Sequence, residues 1–166
     1  YNLCLLISVR DISYFYYIAY TFGLCLFQLS MSGYGFEYAW SNWPALNDHL
    51  IPLAICLIAV FVLRFSQHVL SLEKQWPLMH RIFTAILLVQ ALGACAAIVL
   101  PYQAVIKPVV ISAIITAMVM LYAGVVESIK GSTPAKWYIL GWSSMFLGAV
   151  WLALASMGWA PANIVT

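Results

Sequence analysis

The chain has 166 residues, of which 65% are hydrophobic and only 7% charged, with a formal net charge of +2. A soluble domain carries about 25% charged residues, so composition excludes a domain that must clothe its surface in water. No basic run is present to neutralise phosphates, so nothing in the charge pattern suggests a nucleic-acid partner.

The first apolar run, Tyr1 to Val9, is too short to cross about 30 Å of hydrocarbon. It has neither a basic leader nor a cleavage site, so it is not a signal peptide. It reads as the end of a helix whose start precedes Tyr1. Five long apolar segments follow: Ile12 to Ser32, Leu50 to about Leu70, Ile82 to Leu100, Val109 to Val126 and Trp137 to Met157. Each is near the roughly 20 residues a spanning helix needs. None alternates as a barrel strand does, and helices are the other structure that satisfies its own backbone in lipid. The expected fold is therefore an all-α, polytopic transmembrane helix bundle spanning 1–166, with helices at about 1–9, 12–32, 50–70, 82–100, 109–126 and 137–157. In the second span Arg64 must snorkel at the boundary, and Pro52 is expected in the first turn. The connections are Arg10-Asp11, Gly33 to His49, Gln67 to Arg81, Pro101 to Pro108 and Glu127 to Lys136.

Six of the seven basic residues, Arg10, Arg64, Lys74, Arg81, Lys130 and Lys136, fall on alternate connections, and Lys107 alone falls on the other side. The positive-inside rule places the six in the cytoplasm. The chain then enters from outside, the Gly33–His49 loop is external, and the chain also ends outside at Gly158 to Thr166. A further span, the seventh helix, is expected after Thr166. Trp40, Trp43, Trp76, Trp137 and Trp159 mark segment ends, as an interfacial aromatic belt does.

Residues able to do chemistry are few. His49, His68 and His80 stand at span ends on opposite sides and cannot share a metal. Cys4, Cys25, Cys56 and Cys95 are single thiols in apolar runs, without ligand spacing. No catalytic group, metal or cofactor is expected. Asp11, Glu37, Asp48, Glu73 and Glu127 all lie near or beyond span ends, which counts against a proton-coupled carrier or a membrane hydrolase. The polar residues within spans, Gln28, Ser30, Gln90, Ser112, Thr116, Ser143 and Ser144, read as interhelical hydrogen-bonding groups. The small residues Gly93, Ala94, Ala96, Ala97, Gly141 and Gly148 permit close helix approach. The aromatic stripe Tyr14, Phe15, Tyr16, Tyr17 and Tyr20 reads as an anchor at the inner boundary, or as a switch at a helix interface. The most unusual stretch is GYGFEYAWSNW, Gly33 to Trp43. It either sits at headgroup level or docks an external domain or ligand. Aromatic rings with a single acid suit a small or sugar-like partner, which makes Glu37, Trp40 and Trp43 the candidate contact residues.

The opening YNLCLLISVRDISYFYY, then FQLSMSGYGFEYAWSN, and in the second half PAKWYILGW, Leu147-Gly148 and GWAPANIVT resemble the bacterial seven-transmembrane receptors with diverse intracellular signalling modules. These stretches resemble, in turn, the junction of that family's first and second helices, its second helix and following loop, and its sixth helix with the loop before the seventh. Ser41 stands where the family often has proline. The resemblance implies a three-part relay in the bacterial inner membrane. An extracytoplasmic sensory domain, often a carbohydrate-binding jelly roll, precedes the bundle. A cytoplasmic output domain, commonly a diguanylate cyclase or histidine kinase, follows it. The partners expected are the lipid bilayer, those two domains of the same chain, and a second copy as a homodimer. The rival readings are a small-solute transporter, favoured by midplane charges or broken helices, and a membrane-embedded enzyme, favoured by a histidine or carboxylate cluster.

Overall fold

A computed structural model describes residues 12–38, 41 and 44–156 along the backbone; side chains at 36, 44, 45, 47 and 145–156 fall outside the description. Among the described residues the regular elements are all helices: α1 (Ile12–Met31), α2 (Tyr34–Tyr38), α3 (Pro44–Val69), α4 (Leu72–Gln75), α5 (Pro77–Val99), α6 (Tyr102–Ile129) and α7 (Thr133–Ser156). Among the described residues four stretches are long and apolar enough to cross a membrane: Ile12–Met31, Asp48–Val69, Pro77–Val99 and Tyr102–Ile129. The segment from Trp137 lies within α7.

The boundaries differ most from the sequence expectation at three helix starts, each for a local reason. Helix α3 begins at Pro44, so Pro52 is in its third turn and not its first. Helix α5 begins at Pro77, where the missing N–H and fixed φ of proline suit a first helical position. Helix α6 begins at Tyr102, so most of the expected Pro101–Pro108 connection is helical and carries Pro108 inside it. Proline is tolerated within membrane helices because neighbouring groups take over the hydrogen bonds it frees.

The chain divides into two compact units, residues 1–120 and 121–166. In the first, α1 packs on α3 and α3 on α5. The α1–α3 seam closes at Gly23, where an added Cβ would lie 2.8 Å from Ile58 Cγ1. It continues through the aromatic stripe. Phe15 meets Phe61 edge-on at 6.4 Å, and Tyr17 and Tyr20 flank Phe65 at 6.2 and 6.0 Å. Part of the stripe thus packs a helix interface. The α3–α5–α6 core is built from Cys56, Ala97, Val105 and Val109, with Leu53, Ile55 and Ala94 against it. Gly93 brings the backbone of α5 close to Cys56 and Val109. The cysteines described, Cys25, Cys56 and Cys95, are free thiols.

In the second unit the end of α6 turns into α7 through Gly131, at φ +93. Gly131 N–H donates to Ser128 O and Ser132 N–H to Glu127 O, the paired bonds of a Schellman ending that places glycine in the left-handed position. Gly124 then lets α7 approach so closely that a Cβ there would meet Ile139 and Tyr138 within 2.9 Å. Ala123, Ala135 and Tyr138 fill this hairpin.

The outer face is as apolar as the core. Leu88, Leu92, Ile98 and Val99 of α5 are 60–80% exposed, while Gln90 on the same helix is 1% exposed. In water such an apolar face would aggregate; in hydrocarbon it is the solvated face. The protein is an integral membrane protein. Gly23→Ala is expected to destabilise the first unit by about 1–3 kcal/mol, the usual cost of overpacking, and Ile58→Ala in the same chain to recover part of that loss. A double-mutant cycle on thermal unfolding in detergent, followed through labelling of buried Cys56 with the other cysteines replaced, measures this; strictly additive effects would mean that the Gly23–Ile58 approach is not limiting.

Candidate functional site

Three polar arrangements stand out against this apolar background. The first lies in the middle of the α5–α6 contact. Gln90 Nε2 donates to Thr116 Oγ1 at 2.9 Å, Ser112 Oγ lies 3.4 Å from Gln90 Oε1, and both hydroxyls also bond to their own helix, Ser112 to Val109 O and Thr116 to Ser112 O at 2.8 Å. The interhelical role read for these three residues holds. By contrast Gln28 is exposed, and the buried Ser30 hydroxyl has no partner. Because Gln90 is uncharged and its amide is used on both sides, the arrangement pins two helices in register and has no proton to move.

The second arrangement is at the opposite end of α3 from Arg64. His49 Nδ1 lies 2.8 Å from Ala97 O. A carbonyl only accepts, so Nδ1 carries the proton. The carbonyl needs this donor because its helical partner four residues on is Pro101, which has no N–H. Nothing in the sequence assigns His49 this role. The signal available was the proline four residues after Ala97, but the long-range donor was invisible.

The third arrangement is at the basic end. Helix α3 stops at Val69, and Ser71 turns the chain with φ 49 and ψ 39, a left-handed conformation that costs a non-glycine residue about 1–2 kcal/mol. Leu70 and Leu72, 1% and 0% exposed, bury on either side of it and hold the turn. Short α4 then brings Glu73 and Lys74 back beside the end of α3. A cavity of about 360 Å³ opens there, lined by Ile12, Tyr16, Arg64, Gln67, His68, Ser71, Glu73, Lys74 and His80. Gln67 organises its wall: Nε2 donates to Thr84 Oγ1 at 3.3 Å and to His80 O at 3.4 Å, and Oε1 accepts from Arg64 Nη1 at 3.4 Å. Sequence reading placed Arg64, Lys74 and the two histidines at this end without bringing them together.

Within the second unit, Glu127 is fully buried in the last turn of α6 and its Oε1 accepts from Lys130 Nζ at 2.6 Å. This position near a span end was expected; its burial was not. Among the described residues no group of three or more His, Cys, Asp or Glu could hold a metal ion.

Of the candidate outer contacts, Glu37 is exposed on α2, a single turn that follows Gly33 at φ +78. It stands between Tyr34 and Tyr38, whose rings stack at 6.4 Å and are 61% and 78% exposed. Trp40 and Trp43 lie outside the described residues.

A family model described as 7TM diverse intracellular signalling matches residues 1–166, the whole chain. The chain belongs to this family. No curated protein and no solved structure matches it. Membership of the 7TM diverse intracellular signalling family makes the chain a membrane sensory signalling module, and the apolar helices agree with that. For a family member whose helices must hold register in lipid, the Gln90 contact is the most directly measurable interaction. Gln90→Leu is expected to lower stability by about 1 kcal/mol, and its coupling to Thr116→Val to be about 0.6 kcal/mol, the mean for interhelical hydrogen bonds in membranes. Unfolding by a denaturing detergent, read across the double-mutant cycle, gives both values; a coupling of zero would reduce the contact to packing alone.

Proposed function

We propose that this chain is the transmembrane part of a relay that carries an extracytoplasmic binding event to a cytoplasmic output domain, of which a diguanylate cyclase or a histidine kinase is the expected kind. The observation that carries the reading is the family match across all 166 residues. The chain itself performs no catalysis in this scheme; it transmits a change in helix packing. A bundle passes such a signal when it has two packings and an external partner binds one of them better.

The orientation follows from the distribution of basic residues. Arg64, Lys74 and Arg81 lie together at one end of α3 and α5, and Lys107 lies near the start of α6. By the positive-inside rule the first group is cytoplasmic, in a bacterial inner membrane, and α2 with Glu37 faces out. The paired rings of Tyr34 and Tyr38 beside Glu37, together with Trp40 and Trp43 in the same loop, suit contact with an external sensory domain or its ligand, since aromatic faces with one acid recognise sugar-like surfaces.

Two experiments test this. Single cysteines in a cysteine-free background, probed with an impermeant thiol reagent in cells with a permeabilised outer barrier, are expected to label at Ser41 and Gln103 but not at Gln75 or Ser132. Labelling at Gln75 with protection at Ser41 would invert the orientation. In the intact receptor, replacing Glu37, Trp40 and Trp43 together by alanine is expected to abolish the output response while abundance and insertion stay unchanged. An unaltered dose response would return the loop to a headgroup-level anchor.

A further inference from the structure

We propose that the cavity at the basic end of α3 is a phosphate-binding site, for the headgroup phosphate of a membrane lipid or for a soluble phosphate compound of the same chemistry. The proposal is independent of the receptor reading; it needs only that the helices span a membrane.

The lining is rich in donors. Arg64 and Lys74 supply two fixed positive charges, the Ser71 hydroxyl is a further donor, the imidazoles of His68 and His80 line the wall, and Glu73 is the lone carboxylate. Arg64 spends one N–H on Gln67 Oε1, at a long 3.4 Å, which steadies the guanidinium and leaves most of its fork for a ligand; that planar fork matches phosphate oxygens two at a time. The His80 ring lines the cavity, although its Nδ1 is itself buried without a hydrogen-bond partner. His80 belongs to the same wall, where Gln67 Nε2 holds its backbone carbonyl.

Position points the same way. Arg64 stands five residues before the end of α3, about 7–8 Å along the axis, at the level where an apolar span gives way to headgroups. Ile12 and Tyr16 of α1 form the remaining wall. An amphipathic wall beside a cationic floor accepts a phosphate joined to glycerol and acyl chains, and basic pockets between helices are a recognised way to hold such headgroups. The volume of about 360 Å³ leaves room for the glycerol as well as the phosphate. Glu73 opposes an anion, so it limits affinity.

The test uses the intact protein in nanodiscs of phosphatidylcholine with and without phosphatidylglycerol. Retained lipid is counted by native mass spectrometry after release. Wild-type protein is expected to retain phosphatidylglycerol, and Arg64→Gln with Lys74→Gln to retain it about tenfold less, as loss of a charge-assisted hydrogen bond implies. Glu73→Gln is expected to retain more, which a merely folded or unfolded pocket would not do. Lys107→Gln, outside the cavity, is expected to behave as wild type. A second arm adds inorganic pyrophosphate: displacement of lipid, or saturable binding lost in the Arg64 and Lys74 variant, assigns the site to soluble phosphates, and retention of lipid against it assigns the site to headgroups. Equal lipid retention in wild type, the double variant and Glu73→Gln, with no saturable pyrophosphate binding, overturns the proposal.

Discussion

Hydrocarbon offers no hydrogen-bond partner, and most of this structure follows from that. Each backbone N–H and C=O must be satisfied within its own segment, so the apolar runs are helical even where they are rich in β-branched residues, as in α6, which would weaken a helix in water. The same constraint draws some polar groups into an otherwise apolar interior. Gln90, Thr116, Ser66 and Glu127 are buried, and Ser66 Oγ returns its hydrogen to Val62 O at 2.7 Å. Leucine, isoleucine and valine can also face outward, as Leu88, Leu92, Ile98 and Val99 do, because lipid tails are as apolar as they are.

With no hydrophobic gain from bringing helices together, association depends on contact distance. Glycine sets that distance at Gly23 against Ile58, at Gly93 against Cys56 and at Gly124 against Ile139 and Tyr138. Each lets one helix backbone rest on a side chain of another. Among the described residues the charged groups lie toward the helix ends, and at one of these Arg64, Glu73 and Lys74 gather around a cavity because the Ser71 turn folds α4 back beside α3.

The sequence made much of this legible, through simple physics. Apolar runs of spanning length announce membrane helices, and the scarcity of charge removes the soluble alternatives. The small residues announced close packing. What it hid was the pairing of distant positions. Gln90 was readable as a hydrogen-bonding group, but its partnership with Thr116 depends on which faces of α5 and α6 meet. Helix ends were also obscured, because Pro52 read as part of a first turn and Pro108 as the end of a connection, while both lie inside helices, where a membrane tolerates proline. The burial of Glu127 was hidden because an acid near a span end is ordinarily solvated. Of the outer loop, the sequence picked out Glu37 by its chemistry, and the structure adds the stacked tyrosines beside it.

The bond from His49 to the Ala97 carbonyl carries an implication for how the chain tolerates change. Pro101 leaves a vacancy in the α5 ladder, and a ring on α3 fills it. The two positions are therefore bound in one genetic bargain. While proline stands at 101, position 49 must present a donor of histidine's reach. Once 101 carries a residue with its own N–H and Leu100, extended here at ψ 155, takes up helical geometry, helix α5 can repair itself and 49 is released to vary. A substitution harmful on one background becomes neutral on the other, so the order in which the two sites mutate decides which histories are open to the protein.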